Sequence, residues 1–520
     1  MRKLQILYNQ RLPFSALLLI VLYVVTWPLY QYVSDLDAVG YMEVAHHYIE
    51  GDLKLAVNGF WNPLHSWLVI PLIKAGLNDW AAFKVSNLIF SIGSLIVLHS
   101  LLNKFSLELW LKAAIQYTSV IILLSYCHFE LAADVLLVFL LLVYFNLIKE
   151  EDFFSSISKN LLAGTIGATL YLAKSYGFPF FLFHFLVIHL FLNPNKRNAV
   201  KQLAAGYFMF FLFTFPWLMA LHWKYGEWMI AFGKFNAHWN FADGPPPGPI
   251  IHPPPHEGSS SVWEDPWHMR VDNISSTPFI TVALHQIRVI LFNFQQWLKC
   301  IHDLSFLSPA ILLLSGFMYF KEKSNEWMYM IIGVLVLPSG YLLLHLETRF
   351  IWATSFVFFI AGGWLMQLLF QHFPLVKWQR VVIWILFFGS FLLEPVNLLK
   401  DKIYDHKEIF DTAGIMKAKG IEGRFTSNSK ADICMVIAYR TGSPYYAIVK
   451  PVYPMKELVN ELKQYRVKYY FFYYQAQQQK EEFLKGSIAA IAKNFIELQP
   501  GLLVVELNEQ QFVEPEKNTH

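Results

Sequence analysis

The sequence predicts an α-helical polytopic membrane protein of about eleven spans, followed by a small α/β domain outside the membrane. Composition is the first observation. Of 520 residues, 55% are hydrophobic and 15% charged, whereas soluble domains carry about 25% charged residues. The second is a mean hydropathy of +0.38 over the whole chain. The third is that apolar stretches recur up to about residue 400 and then give way to mixed helix and strand patterns.

A spanning helix needs about 20 mostly apolar residues. Eleven stretches approach this: 14–33, 80–102, 110–127, 131–148, 160–174, 178–192, 202–222, 304–320, 327–345, 350–370 and 380–397. Residues 1–11 hold Arg2, Lys3 and Arg11, and the first stretch ends in bulky Trp27-Pro28-Leu29-Tyr30. It therefore reads as an uncleaved spanning helix, since a signal peptide has a shorter apolar core and a small-residue cleavage site.

Orientation follows from the basic residues, which favour cytoplasmic loops. With the N-terminus inside, every inner connection carries Lys or Arg: Lys104; Lys149 and Lys159; Lys196, Arg197 and Lys201; Lys321 and Lys323; Lys377 and Arg380. The outer regions are then 34–79, a long loop 223–303, short turns near 128–134 and 174–177, the turn 345–349, and residues 401–520. The expected organisation is a membrane domain over 1–400, with 34–79 as its first outer loop, and an outer α/β domain over 401–520. In the latter, Asp405–Lys419 reads as a helix, and Tyr445–Val449, Val467–Phe472 and Leu502–Leu507 as strands. It shows neither a glycine-rich phosphate loop nor a nucleophile motif.

Two outer segments stand apart. Residues 243–261, DGPPPGPIIHPPPHEGSSS, are too rich in Pro, Gly and Ser for a regular element. Its His252 and His256 read as isolated loop histidines rather than metal ligands. Residues 280–301 have mixed polarity and read as an amphipathic helix at the interface.

A net charge of +3 gives no argument for nucleic acid. Cys127, Cys300 and Cys434 are three and widely spaced, suggesting neither a disulfide framework nor a metal cluster.

The candidate site emerges from where ionisable residues fall. Asp35, Asp37, Glu130, Asp134, Lys174, Glu347 and Arg349 all sit near outer ends of expected spans. Ionisable groups at membrane depth are costly and tend to be functional. Taken singly, each reads as a residue in headgroup water. Their convergence in four outer connections reads as an active site at the outer surface. In the first loop, residues 37–47 read as a short helix stopped at Gly51, with Asp37 and Tyr41 one turn apart on one face. The turn WNPLHSW, with Trp61, His65 and Trp67, returns the chain to the interface.

These residues resemble a known family. Asp37 just after the first span, Tyr41, Ala45, Gly51 and the turn Pro63-Leu64 are similar to the first outer loop of GT-C integral-membrane glycosyltransferases. The likeness is to the protein O-mannosyltransferase and lipid A aminoarabinose-transferase branch. HLETRFIW (345–352) is similar to that family's late His/Glu-x-x-Arg-Tyr turn, with Phe350 in place of Tyr. The likeness spans roughly 10–400 in layout, with about 50 residues at motif level. It departs at Asp37-Ala38, where the family often has Asp-Glu.

The resemblance implies a glycosyltransferase of the cell envelope in a bacterial inner membrane. Its donor would be a sugar on polyprenyl phosphate, and its acceptor a glycolipid, polysaccharide or protein. Asp37 or Asp35 would be the base that takes the acceptor's proton. Arg349 and Lys174 would bind the donor phosphate. Tyr41, His65, Asp134 and Glu347 would position substrate. No organic cofactor is expected, and a divalent metal would be held, if at all, by Asp35 and Asp37. The alternative is a transporter or lipid flippase, but such proteins place polar sites at the midplane between repeats, and no repeat is seen. A third reading, a scaffold presenting the outer domain, leaves the outer charges unexplained.

Overall fold

The computed structural model describes residues 8–231, 249–269, 277–450 and 452–508. The chain forms two compact units. One comprises Met1–Gln31, Trp61–Ala231 and Pro278–Ile403; the other comprises Tyr32–Phe60, Phe232–Thr277 and Tyr404–His520.

The first unit is almost wholly helical, and each of the eleven apolar stretches falls on a helix. Among the described residues six helices are long and apolar enough to cross a membrane, and a seventh crossing follows if the pair Phe279–Leu304 and Ser308–Glu322 is one span bent by 100°. The chain is thus an integral membrane protein with six to seven candidate spans by this measure, against the eleven expected. Length makes the difference. Asp134–Ile148 and Gly177–Phe191 have 15 residues each, or about 22 Å, which is shorter than a hydrocarbon core of about 30 Å. The ninth stretch is divided between Asn325–Val336 and Ser339–Leu342.

Two devices hold this unit's helices in place. Gly164 and Gly206 face each other across Ile157–Ala173 and Lys196–Tyr225, and a Cβ at Gly164 would overlap the Gly206 carbonyl oxygen. Small residues permit such close approach of helices where no hydrophobic effect drives them together. Lys84 is buried, and its Nζ donates to Tyr30 O and Gln31 O, both at 2.7 Å. It satisfies carbonyls that the end of helix Arg11–Tyr30 leaves without partners. Phe279–Leu304 buries Val289, Asn293, Trp297 and Cys300 and leaves the apolar Ile280, Leu284, Ile287 and Leu291 exposed.

The second unit contains strands β1 (Ile251–His252), β2 (Phe425–Ser427), β3 (Ala447–Ile448), β4 (Tyr469–Tyr473), β5 (Ala492–Gln499) and β6 (Leu502–Leu507). The main sheet has the order β2-β4-β6-β5. β2 runs parallel to β4, and the other pairs are antiparallel. β1 pairs with β3, so the described part of the Pro-rich tract contributes a short strand where no regular element was expected; residues 243–248 lie outside the described residues. Leu458, Leu462, Val467, Tyr470, Leu503 and Val505 form the core, with Ile251. The helix expected over 405–419 is Lys407–Ala418. β2 and β5 were not anticipated: one has three residues, and the other is half exposed and lacks a clean alternation.

Candidate functional site

In the first unit, three chain connections deliver charged side chains to one place. Glu130 ends helix Leu109–Phe129 in an extended conformation, and Asp134 opens helix Asp134–Ile148. Lys174 follows helix Ile157–Ala173, also extended, and Arg349 lies in the 3-10 turn Thr348–Ile351 just after Glu347. Backbone anchors set these ends. Asn87 Nδ2 donates to Glu130 O at 2.6 Å, and Asn62 Nδ2 to Tyr171 O at 2.8 Å.

The cluster is a chain of ion pairs. Lys174 Nζ is 2.5 Å from Asp134 Oδ1, and Arg349 Nε is 2.7 Å from Glu347 Oε2. Arg349 Nη1 donates to Glu130 Oε2 and stands 3.9 Å from Asp134 Oδ2. His345 Nε2 is 3.0 Å from Glu347 Oε1. Phe350 supplies the floor, its ring 4.3 Å from Lys174 Nζ and stacked on Tyr341 at 4.6 Å. Burial raises the Glu130 carboxyl above the usual range, against the pull of Arg349. The hydrogen bond from His345, aided by Arg349, holds Glu347 at about 2. Asp134 is almost fully buried, and its Oδ2 accepts no hydrogen bond among the described residues.

Of the sequence-predicted residues, this unit therefore brings Arg349, Lys174, Asp134 and Glu347 together. Both cations already grip carboxylates, which the sequence did not indicate. His65 is elsewhere: fully buried, it packs edge-on against Phe83, with Nε2 3.1 Å from Ser86 Oγ. Glu130 was visible as an outer-end carboxylate but was given no role.

The second unit holds the other predicted residues on helix Leu36–Glu50. Asp35 is its N-cap, extended at φ −140° and ψ 137°, and its Oδ1 accepts from Asp37 N at 3.1 Å. Carboxylates at this position satisfy otherwise unpaired helical N–H groups. Asp37 lies in the first turn, half-buried, and Tyr41 is buried one turn later. Gly51 ends the helix with φ +84°, which glycine adopts without strain.

Further along the same helix, Glu43 accepts from Ser260 Oγ and, at 3.3 Å, from Ser260 N. His47 Nε2 lies 2.8 Å from Glu264 Oε1, and His256 Nε2 lies 2.5 Å from the same oxygen. One ligand atom from each of His47, His256 and Glu264 falls within a 4.8 Å group. Asn58 Nδ2 donates to Glu264 O at 2.7 Å. Burial would raise Glu264, but hydrogen bonds from His256, His47 and Ser259 hold it down at about 2. Burial, then the neighbouring Glu264 charge, raises Glu43 well above the usual range.

His256 is thus not the isolated loop histidine expected from the sequence. Its Nδ1 is 2.9 Å from Glu257 O, a bond that leaves Nε2 as the metal-binding nitrogen in a neutral ring. A bare Nε2 lone pair cannot sit against a carboxylate oxygen without a proton or cation between them. Two histidines and a carboxylate are also a usual zinc donor set. The residues fit a divalent metal, on a set distinct from Asp35 and Asp37. Spacing could not reveal this, because 209 positions separate His47 from His256.

A scan against protein-family models finds no match, and no curated protein matches. Solved structures do. The apo oligosaccharyltransferase of Archaeoglobus fulgidus superposes with a TM-score of 0.57 at 11% identity, covering 90% of this chain and 69% of that one. Its complex with zinc and sulfate gives 0.55 at 11%, covering 89% and 68%. ArnT from Cupriavidus metallidurans bound to undecaprenyl phosphate gives 0.52 at 12%, covering 96% and 99%. The archaeal oligosaccharyltransferase AglB from A. fulgidus, with an inhibitory peptide and a dolichol-phosphate, gives 0.53 at 10%, covering 97% and 74%. The chain shares the fold of these solved structures.

Proposed function

We propose that this GT-C chain transfers a sugar from a polyprenyl-phosphate-linked donor to a glycolipid, polysaccharide or protein acceptor at the outer face of the membrane. The observation that carries the reading is the Glu130, Asp134, Lys174, Glu347 and Arg349 cluster at the ends of apolar helices. Two cations held by three carboxylates in a poorly solvated place suit a phosphate that arrives and leaves. Undecaprenyl phosphate in ArnT and a dolichol-phosphate in AglB support a lipid-linked donor.

In this reading Lys174 and Arg349 hold the carrier phosphate and stabilise the charge that grows on it as the sugar departs. Arg349 can present two N–H groups in parallel, which Lys cannot. Asp134, with Oδ2 unsatisfied, and Glu347 position substrate. Asp37 accepts the acceptor's proton, with Asp35 shaping the turn and Tyr41 orienting the carboxylate; His65 supports the loop from within the core. The N-terminus is cytoplasmic, eleven helical stretches enter the membrane, and 401–520 form an outer α/β domain in a bacterial inner membrane. A divalent metal on His47, His256 and Glu264 would neutralise Glu264 and tie 256–264 to helix Leu36–Glu50.

The test is purified protein in lipid with radiolabelled polyprenyl-phosphate sugars and a membrane extract. Sugar transfer supports the proposal. Carrier movement across the bilayer without transfer would replace it with the flippase reading.

A further inference from the structure

Three segments of the second unit run parallel. β4 lies on one edge of β2. On the other edge Phe425 N donates to Pro444 O at 3.0 Å and Tyr446 N to Phe425 O at 2.7 Å, a parallel bridge that leads into β3. The chain passes from β2 through helix Ala431–Thr441 to β3, then through helix Met455–Gln464 back across β2 to β4. The strand visited first therefore lies in the middle, between β3 and β4. In open α/β sheets ligands bind in crevices outside the carboxyl ends of the strands.

A cavity of about 310 Å³ occupies this place, near the lower end of the range of small-ligand pockets, about 300–1,000 Å³. Ser427, Asn428 and Ser429 line it just after β2, and Ile448, Lys450 and Tyr453 just after β3. Its wall is held rigid. Asn428 Nδ2 donates to Tyr473 O at 2.9 Å, and Asn428 Oδ1 accepts from Tyr473 N at 2.7 Å, tying the loop to the end of β4. Ser427 Oγ is 2.8 Å from Tyr445 OH.

We propose that this crevice binds an acidic saccharide, a sugar unit carrying a carboxylate or phosphate. Serine hydroxyls at the cavity wall match sugar hydroxyls in number and kind of hydrogen bond. The Tyr453 ring offers a flat apolar face with a polar edge. Lys450 supplies the one cation of the lining and selects acidic sugars over neutral ones. That the saccharide belongs to the acceptor rests on the glycosyl-transfer reading; binding itself does not.

The experiment is saturation-transfer NMR on full-length protein in nanodiscs, with galacturonic acid and glucose 1-phosphate as probes, glucose as the neutral control and inorganic phosphate as competitor. Both acidic sugars should bind roughly tenfold more tightly than glucose, which corresponds to about 1.4 kcal/mol. Lys450→Gln should abolish that preference while retaining weak sugar binding. Ser429→Trp, at an exposed loop position, should fill the crevice and remove binding of all three sugars in a protein of unchanged thermal midpoint. Equal binding of parent and Ser429→Trp overturns the proposal, and so does displacement of glucose 1-phosphate by inorganic phosphate at equal concentration. A protein that transfers sugar but binds none of the probes loses this inference alone. One that binds them but never transfers sugar loses only the acceptor assignment.

Discussion

Lys174 Nζ lies 2.5 Å from Asp134 Oδ1, and the other oxygen of this buried carboxylate accepts no hydrogen bond among the described residues. The lysine is therefore placed before any substrate arrives. In the proposed reading a carrier phosphate would share it with, or take it from, a carboxylate that would then have an oxygen to offer to an incoming hydroxyl.

Substitution of either cation should weaken the donor. A hydrogen bond to a charged group contributes about 1.5–3 kcal/mol, so Lys174→Ala and Arg349→Ala should each weaken binding of polyprenyl phosphate by about 10- to 100-fold. Arg349→Lys should also impair it, because the two-pronged geometry is lost. Titration of purified variants with the carrier lipid reads this directly, and unchanged affinity in both alanine variants removes the assignment.

Asp37 and Asp35 should separate by experiment. Removing a general base typically lowers rate by about 10²–10⁴, so Asp37→Asn should collapse transfer while protein level and carrier binding persist. Asp35→Asn should cost less, since its side chain caps a helix and cap loss is typically about 1 kcal/mol. If a folded Asp37→Asn enzyme keeps near-parental transfer, Asp37 is not the base; a dead Asp35→Asn enzyme exchanges the roles.

Glu130 gives a pH signature. Burial holds its folded pKa above the unfolded value, so its contribution to stability is full below the unfolded pKa and is lost as pH rises through the folded one. Glu130→Gln should flatten this decline, since Arg349 keeps Glu347 at 2.7 Å. Thermal midpoints from pH 4 to 8 should fall less in the variant. Parallel curves for both proteins would show that burial of Glu130 does not govern the effect.

The histidine–glutamate set should carry metal. Protein purified without chelator should contain close to one divalent ion per chain by elemental analysis, and His47→Ala, His256→Ala and Glu264→Gln should each lose it. Full metal content in all three variants would place the ion elsewhere.

Reporter fusions at Lys323 and after Asp401 should report opposite sides of the membrane, the first cytoplasmic. The same side for both sinks the eleven-span arrangement.

The sequence alone determined the membrane class, the helical stretches and the turns that carry the clustered charges. These are local properties: apolar length, Gly51 and Pro63 as breakers, and a charge placed where hydropathy ends. It placed helix Leu36–Glu50 to within three residues and β6 at its observed limits, because a glycine stop at Gly51 and a continuous apolar run are local too. Only the tertiary structure decided that Lys174 would meet Asp134 forty positions away and that Arg349 would meet Glu130 across 219. It likewise gathered His47, His256 and Glu264 from a helix and a proline-rich loop. Ion pairs and ligand sets of this kind depend on which helix ends and loops adjoin after packing. That is set by the fit of buried surfaces, such as Gly164 against Gly206, and no single segment of sequence encodes it.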